Sequence, residues 1–569
     1  MKAGKCIGWF VLLLCMMALG YYISFPAINI HEEGVVIFVI MVVALLGVIF
    51  MLRDAFSGKK HKNFVSFHAN IDLRLGKPAL TCFAAVVVLV AVYIVGSLSG
   101  AEIFRAKDYA SLLAITEYDF AENIEETENV DNVALMDTGS ARTFGNRMIG
   151  SLSDVVSQYE VEEDYTQINI EGKPYKVASL RYASFFKFWK NKDAGIPGYV
   201  KVNPVTFKAE YVKLEKGMKY VPSGYFNYNL QRHVQFKYPT KIIYNYYFEV
   251  DNEGNPYFIC PVVTAKIGLF GGKDVIGAVL CDPVSGECEY YDVEKVPTWV
   301  DRVYDGELLS QKYDWAGSLS GGFWNSIISQ TGCKQATDDY GYKTIGDDVW
   351  VYTGVTSVTG DQSNVGFILM NQRTSEARYY SVSGAEEHSA MSAAEGEVQE
   401  KGYRASFPSL INVSGQPTYI MVLKDDGGLV KMYAMVNVEQ YNIVATATSQ
   451  EEIFKKYKKL LAGGAGSSQG DAKEEDAVQT AEIVIKEVNY IVNDGATTVY
   501  IKDMDNKVYK QPFAEDESLA MLTAGQTVKI TYEDVEDGIS YMSDFEIKDQ
   551  GLQPGNSPEP VGEDAGERD

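Results

Sequence analysis

Three short stretches hold the residue types that most readily do chemistry. Cys281 and Cys288 flank Asp282-Pro-Val-Ser-Gly-Glu287, and a hairpin centred on Val284-Ser285 places them opposite each other on adjacent strands. Side chains so placed approach within about 5 Å. A cross-strand disulfide is then geometrically open, though closing so short a loop stabilises little, and a half-buried thiol pair fits equally well. Cys260 with Cys281 is a competing pair, and the four cysteines beyond residue 100 (Cys260, Cys281, Cys288, Cys333) allow three full pairings. There is no Cys-x-x-Cys, so neither a zinc ribbon nor a thioredoxin-like couple is indicated. Cys15 and Cys82 follow Leu14 and Thr81, not the small residue of a lipidation box. Glu386-Glu387-His388 offers metal-ligating types, but consecutive helical residues diverge and His-Glu-x-x-His spacing is missing, so a solvated helix face is expected. Gly268-Leu-Phe-Gly-Gly-Lys-Asp274 has the wrong glycine spacing for a phosphate loop and no Ser or Thr after Lys273; a turn is expected.

Asp137-Thr138-Gly139-Ser140 matches the loop of aspartic peptidases, in which an Asp on a tight Gly turn shares a proton with a partner carboxylate. The triplet occurs once, so the dyad would need two copies of the chain, and Met136 replaces a smaller apolar residue. The competing reading is that Asp137 or Thr138 caps the helix that follows. Asp314-Trp315-Ala316-Gly317 and Gly321-Gly322-Phe323-Trp324-Asn325 concentrate aromatics and glycines, suited to lining a groove or to packing between modules. The expected set of catalytic, cofactor-binding and metal-ligating residues is therefore empty, and no cofactor is expected.

These stretches hang on an apolar amino-terminal part. The uncharged run 79–96, with its continuation Ser97-Leu98-Ser99, matches the roughly 20 helical residues that cross about 30 Å of hydrocarbon. Runs 6–23 and 35–52 complete a three-helix transmembrane anchor over residues 1–100, touching the bilayer through residues 6–98. No small-x-small cleavage site follows the first run and a second span comes soon after, so it reads as a retained helix. The link 24–34 holds Glu32 and Glu33 and no base, whereas the link 53–78 holds Arg53, Lys59, Lys60, Lys62, Arg74 and Lys77. Short basic links stay cytoplasmic, so the large carboxyl-terminal region is expected outside the cell.

That region is acidic. The chain carries a net charge of −25, residues 1–100 contribute about +4, and about −29 remains for the rest. Such a surface repels phosphate backbones, so no nucleic-acid partner is expected. A Gly-x-Pro turn precedes a Tyr-led strand at Gly172-Lys-Pro-Tyr175, Gly254-Asn-Pro-Tyr257 and Gly415-Gln-Pro-Thr-Tyr419. A second pattern, strand, Asp/Asn-led turn, strand, recurs at 198–212, 277–293 and 366–382. Helical spacing shows over 138–159, 385–399 and 450–461. Helix followed by antiparallel meander, repeated, is an α+β design, divided here as 101–300 and 301–461.

The repeated hairpins, such as Asp251-Asn-Glu-Gly-Asn-Pro-Tyr-Phe-Ile259, resemble the extracytoplasmic PepSY and cystatin-like modules of Gram-positive envelope proteins. That resemblance implies non-catalytic modules that bind peptides or restrain proteases, and it supplies no site residues. A Gly/Ser linker over 462–480 then leads to five short strands within 481–548, interrupted by a helical turn near 515–522, which resemble a small OB-like β-barrel. Acids outnumber bases there by 14 to 6, favouring a structural or protein-binding barrel. Residues 549–569 read as a disordered acidic tail. The expectation is a multi-pass cell-membrane protein of the bacterial envelope: a non-catalytic extracytoplasmic binding or scaffold protein for a protein, peptide or wall component. The alternatives are a dimeric aspartic-type peptidase using Asp137 and a component of an envelope assembly or secretion complex.

Overall fold

The computed structural model describes residues 14–56, 64–66, 72–74, 76–130, 133–358, 363–464, 479–493, 496–513, 516–533 and 539–549. The chain divides into two compact units, Met1–Ala465 and Gly466–Asp569. Most of the expected linker, and all but the first residue of the expected tail, lie outside the described residues.

Two helices are long and apolar enough to cross a membrane, within Glu33–Phe56 and over Lys77–Ser99. They pack along each other, with Gly47 against Cys82 and Phe83. The three-helix expectation is corrected to two among the described residues. The first run is described only as Leu14–Ser24, and at 1.5 Å per residue that segment falls well short of 30 Å. The basic link between the two long helices contains a small antiparallel ribbon, Phe64–Ser66 with Asp72–Arg74.

Beyond the anchor, one unit is built four times. Each copy is a helix, then two short strands that both pair with one edge of a long third strand, then a fourth and a fifth strand in meander. In module 1 these are Thr138–Gly150, Tyr159–Val161, Thr166–Ile170, Lys173–Tyr182, Ile196–Asn203 and Lys208–Met218. Module 2 has Leu230–Lys237, Ile242–Ile243, Tyr247–Val250, Pro256–Ile267, Gly271–Cys281 and Cys288–Asp292. Module 3 has Gly306–Leu319, Lys334–Ala336, Gly341–Ile345, Asp348–Ser357, Ser363–Asn371 and Ala377–Tyr380. Module 4 has Glu387–Gly396, Arg404–Ala405, Ser409–Val413, Gln416–Lys424, Val430–Asn437 and Val444–Ala447.

The turns explain the repetition. Between the second and third strands a glycine holds positive φ in every copy: Gly172 at 79°, Gly254 at 86°, Gly346 at 64° and Gly415 at 76°. In modules 1 and 4 the residue before it, Glu171 or Ser414, is also left-handed, as a tight two-residue hairpin of matching twist requires. Between the fourth and fifth strands a side-chain oxygen closes the loop on its own backbone: Asn203 accepts from Val205 and Thr206, Asp282 from Val284, Asn371 from Arg373 and Thr374, and Asn437 from Gln440.

Sheet faces settle how the copies meet. In module 2, Phe258, Cys260 and Val262 point into a core shared with module 1, while Ile259 and Val263 point into one shared with module 3. In module 3, Val351 and Ile368 face module 2, while Trp350, Tyr352 and Phe367 face module 4. Sheets buried on both faces carry near-continuous apolar strands, as in Tyr419-Ile-Met-Val-Leu423. The outer face of module 4 is covered by the helix Gln450–Gly464, with Ile453, Phe454 and Tyr457 buried.

A strap ahead of module 1 closes the set. Ile115–Tyr118 pairs in parallel with Ala377–Tyr380 of module 3. Asn412 of module 4 then donates to Ile124 O and accepts from Thr127 N, and Ser409 Oγ donates to Ala134 O. Charges are buried where modules join: Glu249 accepts from the Asp301 and Arg302 amides, and Lys312 lies 2.8 Å from Asp274.

The second unit is a closed five-stranded barrel of Gln479–Asn493, Ala496–Asp503, Val508–Pro512, Ile539–Asp549 and Thr527–Glu533, in that order around the barrel. The turn Glu517–Met521 sits between its third and fourth strands in chain order, and Ile485, Val499, Ile501, Leu519 and Ile530 fill the interior.

Candidate functional site

Module 2 gathers three reactive side chains at one end of its sheet. Cys281 and Cys288 are directly paired across the fourth and fifth strands, as the spacing predicts. The amide of Asp282 donates to Glu287 O, which makes the 282/287 pair hydrogen-bonded and leaves Cys281/Cys288 at the narrower, non-hydrogen-bonded position. Their sulfurs stand 2.9 Å apart, both as free thiols.

His233 reaches this pair from the module's helix. Asn229 caps that helix by accepting from the Arg232 amide, and His233 Nε2 lies 2.7 Å from Gly286 O at the hairpin tip. The Tyr220 ring lies against the imidazole at 4.2 Å between centroids, and Gly286 leaves no room for a Cβ beside Tyr220. The tip is held from module 1 as well, because the Lys219 and Tyr220 amides both donate to Pro283 O.

The electrostatics separate the two thiols. Hydrogen bonding between them pushes Cys281 up and pulls Cys288 down, and the neighbouring His233 imidazolium lowers Cys288 further. The bond to Cys288 in turn raises His233. The direction of these shifts makes Cys288 the more acidic and more readily nucleophilic thiol of the pair, and Cys281 the one that keeps its proton. Cys260, buried in the same core, is raised by desolvation and stays protonated.

Cys281, Cys288 and His233 also bring three ligand atoms within 4.8 Å of one another. Two thiolates on one tetrahedral zinc stand about 3.7 Å apart at ordinary bond lengths, and a structural site takes four ligands. At 2.9 Å the sulfurs suit thiol–disulfide exchange better than metal ligation.

The other sequence candidates fall in different places. Asp137 caps the helix Thr138–Gly150 through Ser140 N at 2.7 Å, and its second oxygen takes Lys424 Nζ at 2.6 Å. Burial alone would raise this carboxyl, but Lys424 and Ser140 hold it below the usual range. Both oxygens are therefore engaged within one chain. Glu387 points inward, accepting from Gly354 N at 2.6 Å and Thr337 Oγ1 at 3.1 Å, whereas His388 lies outside, 3.5 Å from Asp339. Burial lifts Glu387 to about 7. Gly268–Phe270 is the turn between the third and fourth strands of module 2, and Gly271 and Gly272 open the fourth strand. Trp315 packs on the helix Glu102–Ala110, its Nε1 donating to Glu102 at 2.9 Å and its ring 4.8 Å from Tyr109.

A polar cavity of about 70 Å³ lies between Asp137, Lys176, Tyr342, Tyr352 and Ser409, where the strap meets modules 1, 3 and 4. That volume holds a few waters and no substrate. Lys176 reaches Thr138 Oγ1 at 3.3 Å and sits 5.0 Å over the Tyr342 ring, with burial lowering it to about 8. Sequence reasoning missed His233 and Lys176, because neither stands in a spaced motif and each is brought in by a contact between distant elements.

No family model and no curated protein matches this chain. Among solved structures, a mutant of the Bombyx mori GH32 beta-fructofuranosidase BmSUC1, in complex with sucrose, aligns over 67% of this chain and 65% of its own at 10% identity. Its TM-score of 0.16 carries no argument about fold or activity.

Proposed function

We propose that this chain is a membrane-anchored, extracytoplasmic binding or scaffold protein of the bacterial cell envelope, without catalytic activity, that engages a protein, peptide or wall component. The observation that carries the reading is that module 2 is fastened to one end of the apolar helices. His31 Nδ1 lies 2.8 Å from Leu269 O, Ile28 N donates to Pro239 O, and Arg232 Nε donates to Tyr22 O. The acidic link 24–34 and the modules therefore share one side, and the basic link 57–76 joins the opposite helix ends. The bases in that link support a cytoplasmic reading of the opposite end.

A ring of modules with filled interiors suits display better than turnover, and the barrel beyond residue 466 adds a second presentation unit. Its strand order, with the last two strands exchanged and the ends closed, supports the OB-like reading. Membership of an envelope assembly complex differs from this only in the partner. Protease added to wall-stripped intact cells tests the sidedness: digestion of the modules with protection of the link 57–76 is expected. Survival of the modules until lysis would overturn it. Crosslinking in intact cells then identifies what the modules hold, and a peptidase activity lost in Asp137→Asn would replace the binding role.

A further inference from the structure

Aromatic side chains usually end up inside, yet two clusters on this otherwise acidic unit remain bare. The first belongs to module 1. Between its third and fourth strands the helix Phe185–Asn191 leaves Phe186 80% exposed and Trp189 57% exposed, and Phe226 beside it is 52% exposed. Phe185 ties these together, its ring 5.8 Å from Phe186, 6.1 Å from Trp189 and 6.4 Å from Phe226. The second cluster follows the last membrane helix. Phe104 is 69% exposed only five residues after Ser99, and Trp324 and Ile328 are 63% and 74% exposed in the segment after the helix Gly306–Leu319.

Both clusters are tethered to the same end of the apolar helices. Tyr22, near the end of Leu14–Ser24, donates to Asn227 Oδ1, and Arg232 joins Tyr22 O to Phe226 O. On the other side, Tyr109 donates to Gly100 O and packs on Trp315, which fixes the helix bearing Phe104 against the helix that leads to Trp324. Tyr93 donates to Glu33 and its ring lies tilted 5.6 Å from Phe270, so the start of Glu33–Phe56 and the turn of module 2 meet the last turns of Lys77–Ser99. Bases accompany the first cluster, where Lys187 and Lys190 lie on the helix; beside Phe104 the charges balance, with Arg105 paired to Asp108 and Lys107 on the same helix as Glu102.

We propose that these two clusters are interfacial feet that seat the module ring flat on the bilayer, with Phe186, Trp189, Phe226, Phe104, Trp324 and Ile328 entering the headgroup layer and Lys187 and Lys190 meeting anionic lipid. Trp and Phe favour that layer, and Lys and Arg near it gain from anionic headgroups. The occupant is lipid because the clusters continue the level at which the spanning helices leave the membrane. The inference rests on membrane anchorage and is independent of which side faces the cytoplasm.

The test uses the full chain in lipid nanodiscs containing anionic phosphatidylglycerol, with and without brominated acyl chains that quench nearby tryptophan. Trp189→Phe and Trp324→Phe are each expected to lower the quenchable share of the emission, and the double variant to lower it further. Val88→Trp, an exposed position midway along the helix Lys77–Ser99, adds a quenchable tryptophan to every variant and reports anchorage separately. An unchanged quenchable share in both variants, with the tryptophan at position 88 still quenched, would overturn the feet and leave the anchor standing. Loss of all quenching would instead overturn anchorage. Deuterium uptake of 184–191 and 323–329 in discs and in amphipol gives a second readout, with protection in discs expected. Equal uptake, or protection that depends on protein concentration because a second copy covers the surface, would also overturn the proposal.

Discussion

Modules 2 and 4 share a strand order yet use the turn between their third and fourth strands for opposite tasks. In module 2 the turn reads Gly268-Leu-Phe270 and presses Leu269 and Phe270 against Gly96 of the last membrane helix. In module 4 it reads Asp425-Asp-Gly-Gly, is folded by Asp425 accepting from Leu429 N, and receives Arg147 of module 1 on Gly427 O at 3.0 Å. Apolar turn residues face the anchor, and acidic ones face water and a neighbouring base. The comparison teaches that the repeat supplies a frame, while a few turn residues decide what each copy is fastened to.

The largest effect is expected where the frame admits no adjustment. Gly268 has φ 61°, and a Cβ there would lie 2.6 Å from the backbone nitrogen of Gly100. Gly268→Val should cost at least ~3 kcal/mol, combining a strained backbone with a clash that cannot relax. Gly428→Val, with φ 74° but nothing closer than 3.9 Å, should cost about 1–2 kcal/mol. Thermal unfolding in lipid discs compares the two, and equal losses would break the contrast.

Next comes the seam between modules 1 and 4. Lys424→Met leaves Asp137 half-buried without its cation, and about 2 kcal/mol is expected to be lost, discounted from the cost of a fully buried pair. The Asp137→Asn, Lys424→Met double variant should recover part of it, as urea unfolding would show.

Glu387 sharpens the comparison through pH. Its folded value of about 7 lies above the ordinary 4.5, so the folded state holds the proton more tightly. Stability from this group is complete below about 4.5 and is lost as pH rises toward 7, by on the order of 3 kcal/mol. Glu387→Gln should flatten that slope. Lys176, lowered to about 8, works oppositely: stability rises from about 8 toward 10.5, and Lys176→Met should remove that rise.

The smallest effect on stability is expected at the thiols. Cys288 should alkylate faster than Cys281 and remain reactive below the usual thiol range, and His233→Gln should shift that reactivity toward higher pH. Mass-spectrometric mapping of the labelled cysteine reads both; equal labelling would deny module 2 its chemical distinction from module 4.

Much of this frame was legible in the residues. Gly-x-Pro marked three of the four hairpins, and module 3 escaped because Gly346-Asp347-Asp348 has no proline. The Asp/Asn-led turn also showed three times; in module 4 the segment from Asn437 to Ile443 is longer than its counterparts and breaks the alignment. The helix Leu230–Lys237 has eight residues, too few for a helical period to stand out, and Gly306–Leu319 hid within a stretch read as aromatic and glycine-rich. Strands buried on both faces lose the alternation that would reveal which neighbour they meet. For the same reason, pairing of Cys281 with Cys288 was readable from a local hairpin, whereas the approach of His233 depended on how a helix lies over a sheet.

The strap has a consequence for biosynthesis. Ile115–Tyr118 leaves the ribosome soon after the anchor, but its partner strand Ala377–Tyr380 belongs to the third module and its later contacts to the fourth. Until translation delivers those modules, the strand has an unpaired edge. Ring closure is therefore a late event, and a nascent chain halted between modules would need a holdase to shield that edge.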